Sequence, residues 1–301
     1  MRYILPAIII CISCSSLSAQ EDPLYAQYLN NPFVINPAYT GLNNVFNATV
    51  TYRKQWGGFE GSPSTAGVTA HTSLLDNKMG VGLMFVQDKT GATNNSEAYA
   101  TYAYRIHLND KYLSFGLQGG FINFRDNNAL LNPYDPNDPA FSSNQNIIKA
   151  SIGAGIILNS ERFFLGLSVP RMLKPTAQLS DVTTELYSQH LYLMGAYVFY
   201  LSERFRFKPS VLLKGVQGAP LSTDYNFSFN LDEKYSAALY SRNFNTYGIL
   251  TQIKFGGAYR IGYAFEVPTN KSVGTRFSTH EVMFGLNLAL LTFHDTYITN
   301  F

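Results

Sequence analysis

Five histidines are the side chains best able to move protons near neutral pH: His71, His107, His190, His280 and His294. No two stand at the helical i, i+4 spacing that presents a zinc pair. A hydrolase here would need one of them beside a serine or aspartate, and only His71 or His190 could be so placed. Scattered structural histidines and no enzyme are therefore the expectation. Asp126, Asp135 and Asp138 fall in a stretch rich in Asn and Pro. Crowded carboxylates and amides can hold calcium, yet Pro136-Asn137-Asp138-Pro139 is a turn former first. Asp135 and Asp138 are weak calcium candidates, and no metal or other cofactor is expected. Trp56 is the only tryptophan, and it stands with Phe59 and Glu60 between glycines. An aromatic anchor in such a loop suits either an interfacial girdle or a hot spot for a protein partner.

The elements that must position these groups alternate in polarity. From Val45 onward, fourteen strand-like runs follow: 45–53, 64–74, 79–88, 96–107, 111–124, 149–158, 162–169, 188–201, 204–214, 222–232, 234–243, 246–255, 258–267 and 279–291. Leu113, Phe115, Leu117 and Gly119 oppose Ser114, Gly116, Gln118 and Gly120, a period of two. Phe205, Phe207, Val211 and Leu213 oppose Arg206, Lys208 and Ser210, and Tyr259, Ile261, Tyr263 and Phe265 oppose Arg260 and Glu266. Most runs have the ~9–13 residues of a tilted strand that crosses a bilayer, longer than the ~5–6 usual in globular sheets. The connections alternate between short (75–78, 108–110, 159–161, 202–203, 232–233, 255–257) and longer (54–63, 89–95, 125–148, 170–187, 215–221, 242–246, 268–278). Short periplasmic turns and longer extracellular loops belong to outer-membrane barrels. The predicted fold is thus an all-β, transmembrane antiparallel β-barrel of about fourteen strands. Arg206, Lys208, Asp224, Lys254, Arg260, Glu266 and Glu281 are the candidate lumen-lining residues. A charge-paired hydrated wall, a selective pore and a docking surface all remain open for them.

Composition agrees. Of 301 residues, 14% are charged, against the ~25% of soluble domains, while 15% are aromatic and the net charge is +2. That balance gives no footprint for nucleic acid. Residues 1–19 read as a secretory signal: Arg2, an apolar run from Ile4 to Cys14, then small residues to Ala19. Lipidation at Cys14 is the alternative, since both cysteines, Cys11 and Cys14, lie in this segment. Residues 20–44 carry Asn-Pro pairs without alternation and are read as a plug or periplasmic cap; 45–291 form the barrel and 292–301 a tail. Both mature termini are expected at the periplasmic rim.

Particular words add to the periodicity: YLNNPFVINPAYTG at 28–41, YRKQWGGFEGSPST at 52–65, VGLMFVQDKTGAT at 81–93, LNPYDPNDPAF at 131–141, GLSVPRMLK at 166–174, HLYLMGAYVF at 190–199, FKPSVLLKGVQGAP at 207–220, RIGYAFEVP at 260–268 and STHEVMFGLNL at 278–288. Together these resemble the PorP/SprF family of type IX secretion system outer-membrane proteins. The resemblance implies a non-enzymatic barrel in outer-membrane lipid that supports export or surface anchoring of a type IX cargo with a C-terminal sorting domain, such as a gliding adhesin. It also implies periplasmic peptidoglycan-linked components as partners. Asn36, Pro37, Tyr39 and Gly41, in the NPAYTG word, join Trp56, Phe59 and Glu60 as candidate partner-binding residues. A porin or small-solute transporter is the competing expectation, and an outer-membrane lipid hydrolase ranks behind it.

Overall fold

A computed structural model of the protein describes residues 25–128, 144–179, 182–269 and 275–294. The strands in chain order are β1 (Phe46–Lys54), β2 (Ser64–Leu74), β3 (Met79–Thr90), β4 (Thr93–Leu108), β5 (Lys111–Asp126), β6 (Gln145–Asn159), β7 (Phe163–Val169), β8 (Thr176–Leu179), β9 (Val182–Glu185), β10 (His190–Tyr197), β11 (Phe199–Tyr200), β12 (Phe205–Val216), β13 (Ser222–Leu231), β14 (Tyr235–Arg242), β15 (Thr246–Phe255), β16 (Tyr259–Pro268) and β17 (Thr279–Leu288). β8 and β9 form a hairpin of their own, and β11 continues β10 beyond Val198, both pairing with β12. The other pairings run antiparallel around a ring, and β1 meets β17 from Phe46↔Leu288 to Lys54↔His280. The result is a closed barrel of fourteen strands. Closure leaves no unpaired edge, the condition for placing strands in hydrocarbon.

The polarity is that of a membrane barrel rather than a soluble sandwich. On β5, Phe115, Leu117 and Phe121 are exposed while Ser114, Gly116 and Gln118 are buried. On β16, Tyr259, Ile261 and Tyr263 face out while Arg260 and Glu266 are buried. Exposed aromatics stand toward both ends of the wall, Tyr104, Tyr112, Phe199, Phe255 and Tyr259 at one and Tyr52, Phe244 and Tyr247 at the other, with Phe85, Phe227 and Phe284 between them. Such girdles mark the two bilayer interfaces.

One rim carries only tight connections, several closed by left-handed residues such as Asp232 and Glu233 (φ 53° and 54°) and Gly256 and Gly257 (φ 58° and 72°), the geometry of hairpin turns. At the opposite rim lie the strand ends Lys54, Asp126, Val169, Val216 and Pro268, each followed by a longer stretch of sequence before the next barrel strand. The strict alternation expected from the sequence breaks there at two places. β3 and β4 pair as far as Thr90↔Thr93, so Gly91 and Ala92 alone replace the loop expected over 89–95. β14 and β15 likewise meet across 243–245. Past the girdle both faces of a strand meet water, so Gln87, Lys89 and Asn94 show no alternation and read as loop although they are paired.

Candidate functional site

The lumen is occupied by the chain's own amino-terminal segment. Three single-turn 3-10 helices, Gln27–Leu29, Pro32–Val34 and Pro37–Tyr39, cross it. Two open on the Asn-Pro pairs, because proline at a first helical position supplies the right φ without missing its N–H. Asn36 caps the third, accepting the Ala38 N–H at 3.0 Å. A buried irregular segment must find partners for its backbone elsewhere, and here the wall supplies them. Ser168 Oγ donates to the Ile35 carbonyl and Ser114 Oγ to the Ala38 carbonyl, each at 2.7 Å. Asn36 Nδ2 donates to the carbonyls of Ile156 and Leu167, both at 3.3 Å, and the Gly41 N–H donates to His71 Nδ1 at 3.1 Å. Phe33 packs on the His71 ring at 4.9 Å. Tyr25 borders Ser222 and Arg242, at the long-loop ends of β13 and β14. From there the segment descends until Phe46 opens β1 at the turn rim. As far back as Tyr25 the segment lies in the loop-rim half of the lumen; the mature amino terminus itself lies outside the described residues.

Room for the segment comes from the wall. Gly80, Ala103, Gly116, Gly155 and Ser168 are successive cross-strand partners over β3 to β7. A Cβ on Gly116 would collide with the Ala38 backbone, one on Gly155 with the Asn36 amide and one on Gly80 with the Thr40 carbonyl. This lateral row of small residues is the seat of the third turn.

Charge fixes the upper end of the segment. Glu281 accepts the N–H groups of Ala26 (2.8 Å) and Gln27 (3.2 Å), and also Arg53 Nη1 at 3.1 Å. Arg53 Nη2 bonds to Glu266, which also accepts the Tyr240 hydroxyl at 2.6 Å. Arg242 holds Asp224 at 3.1 Å, and the Tyr28 hydroxyl donates to Asp224 at 3.3 Å. Nearby, Pro170 and Arg171 fold inward from the end of β7: Gln118 Nε2 donates to the Pro170 carbonyl at 2.9 Å, and Arg171 grips both oxygens of Glu97 at 2.8 Å. Tyr187 lies under the Arg171 guanidinium at 4.8 Å and donates to Glu97 at 3.2 Å. Buried charges are tolerable only when paired in this way.

The family signature described as type IX secretion system membrane protein PorP/SprF matches residues 17–286. The chain belongs to this family. No curated protein matches it. Among solved structures, this PorP/SprF barrel is similar to the Acinetobacter baumannii outer membrane protein Omp33, at 8% identity and TM-score 0.47, over 82% of this chain and 100% of that one. It is also similar to the Pseudomonas putida toluene transporter TodX, at 10% identity and TM-score 0.45, over 86% and 92% of the two chains. For the KdgM porin the values are 9%, 0.39, 80% and 99%.

The candidate residues of the PorP/SprF chain separate into distinct places. Asp224, Glu266 and Glu281 belong to the loop-rim network, which also contains Arg53, Arg242, Glu97 and Arg171, four residues not singled out from sequence. Arg206, Lys208, Lys254 and Arg260 instead border a cavity near the turn rim. Asn36, Pro37 and Tyr39 are buried inside the barrel with Gly41 beside them, in contact with the wall. Burial pushes the Tyr39 phenol well above its usual range, keeping it protonated. Trp56, Phe59 and Glu60 lie in the loop 55–63 at the other rim. Asp135 and Asp138 lie outside the described residues, and among the described residues no group of three His, Cys, Asp or Glu could hold a metal ion. The histidines stay apart: His107 stacks on Tyr112 at 4.6 Å, His190 Nδ1 lies 3.0 Å from the Ser188 carbonyl, His280 bonds the Tyr263 hydroxyl at 2.7 Å and His294 the Ser73 carbonyl at 3.1 Å.

Proposed function

We propose that this outer-membrane barrel of the type IX secretion system is a plugged docking component. In this reading it holds a specific cargo bearing a C-terminal sorting domain, such as a gliding adhesin, at the cell surface. The observation that carries the reading is the filled lumen: a conduit for solutes needs a clear bore, whereas here the segment from Ala26 to Val45 is buried across it and Arg171 is locked in above. In this reading the turn rim faces the periplasm and its peptidoglycan-linked components, as short turns do in outer-membrane barrels, and the long loops face the cargo. At that outer rim the Gly57 N–H donates to the Ser278 carbonyl at 2.7 Å and the Trp56 N–H to Thr279 Oγ1 at 3.2 Å. The Phe59 ring meets Phe277 edge-on at 5.7 Å and stays half exposed. Two loops thus offer one aromatic platform with Glu60 at its border, and rigid aromatic anchors dominate the energetics of protein interfaces.

The test is the cell-surface amount of each type IX cargo after Phe59→Ala and Trp56→Ala, with barrel abundance measured alongside. Loss of one cognate cargo at normal barrel abundance is expected. Unchanged surface levels of all cargo would remove the docking role. A planar-bilayer recording of the purified chain separates this from a porin or small-solute transporter: steady conductance would favour transport, and silence the plugged barrel.

A further inference from the structure

The charges of the lumen are sorted by height. In the loop-rim half, Arg53, Arg242 and Arg171 each hold a carboxylate. Near the turn rim the balance is different. A cavity of about 80 Å³ is bordered there by Arg206, Lys208, Lys234, Lys254 and Arg260. Glu233 is the only carboxylate on its wall among the described residues, and it is bonded to Arg206. The roof is the amino-terminal segment, through Leu29, Asn30 and Tyr39. That segment cannot compensate, because residues 25–45 contain no charged side chain. Lys208 and Lys254 rise from strand ends beside the turn, and Arg260 spends its Nη1 and Nη2 groups on the Asn30 carbonyl (3.3 Å) and Thr49 Oγ1 (3.2 Å), neither of them anionic. Gln252 also borders the cavity, and its carbonyl oxygen is buried without a hydrogen-bond partner.

Like charges gathered in a low-dielectric recess repel one another and concentrate a positive field at its mouth. The arrangement is stable when an anion enters. We infer that this recess is a binding site for a small oxyanion of phosphate or carboxylate chemistry, admitted from the turn rim and stopped by the amino-terminal segment. Lysine and arginine groups then bond the oxygens with charge assistance, and a protonated oxyanion donates to the vacant Gln252 carbonyl. The site lies at the opposite end of the lumen from the proposed cargo platform and does not depend on it.

The experiment is isothermal titration of the purified full-length barrel in detergent with inorganic phosphate and, separately, citrate, at ionic strength fixed with chloride. Saturable binding of at least one is expected; phosphate alone identifies phosphate chemistry and citrate alone carboxylate chemistry. The double variant Lys208→Gln/Lys254→Gln should weaken that binding tenfold or more, since each lost charged contact is worth that factor. Glu233→Gln, which removes the carboxylate bonded to Arg206 and with it the one acid on the cavity wall among the described residues, should tighten it. Heat-modifiable gel migration reports whether each variant has closed its barrel. If the double variant does not close, Glu233→Gln decides alone: tighter binding supports the site, and unchanged binding overturns it. Absence of saturable binding by either anion, or equal affinity in a closed double variant, also overturns it.

Discussion

Replacing Glu281 with alanine removes the acceptor of three donors at once: the Ala26 N–H, the Gln27 N–H and Arg53 Nη1. Hydrogen bonds to a charged group contribute about 1.5–3 kcal/mol each. Arg53 keeps Glu266 as a partner, so the lost value falls mainly on the two backbone donors, and water entering the vacated space returns part of it. A net cost of about 3 kcal/mol remains, within reach of what breaking a buried ion pair costs. That corresponds to roughly a hundredfold shift in the ratio of seated to unseated segment. Two readouts see it. Bilayer recordings of Glu281→Ala should show openings on the order of a hundredfold more often than the parent. A cysteine at buried Leu29 should lose its protection from thiol reagents in the same background. Glu281→Gln, which keeps one oxygen for the segment, should sit between the two. If Glu281→Ala is as silent as the parent and Leu29→Cys is equally protected in both, Glu281 does not hold the segment and the reasoning fails.

Gly116→Val should wedge against the Ala38 backbone and lower barrel stability by about 1–3 kcal/mol, read as the midpoint of heat-modifiable migration. Arg171→Ala leaves the buried Glu97 carboxylate without its arginine, with the Tyr187 hydroxyl still donating to it; it should cost about 3 kcal/mol and expose the 170–189 connection to protease in the folded barrel. Leu117→Arg, on the lipid face, should destabilise the barrel in lipid vesicles by about 2–4 kcal/mol if it lies near the bilayer midplane, while Leu221→Arg in the 217–221 loop should be nearly neutral.

The outward face was legible because it obeys a simple period: Phe115 and Leu117, or Tyr259, Ile261 and Tyr263, need only alternate. The inward face carries information that appears only after register is set. Arg53 and Glu281 are 228 positions apart in sequence yet directly opposite each other where β1 meets β17. The seat for the third turn likewise joins single small residues on five strands, none conspicuous in its own strand. The NPAYTG word was visible as turn chemistry, but nothing local says that its turns lie inside the wall. Pro170 and Arg171 were visible in the GLSVPRMLK word, and their bend into the lumen depends on Glu97 waiting on another strand. The charged lumen residues read from the sequence as one inward set of both signs, and their division by height, Asp224, Glu266 and Glu281 toward the loops and Arg206, Lys208, Lys254 and Arg260 toward the turns, appears only in three dimensions.

The amino-terminal segment touches both ends of the cylinder's seam: Asn31 bonds Thr69 on β2, next to the first strand, while Ala26 and Gln27 bond Glu281 on the last. The segment thus spans the place where the wall closes, so these contacts, in seating it, also tie the first strands to the last.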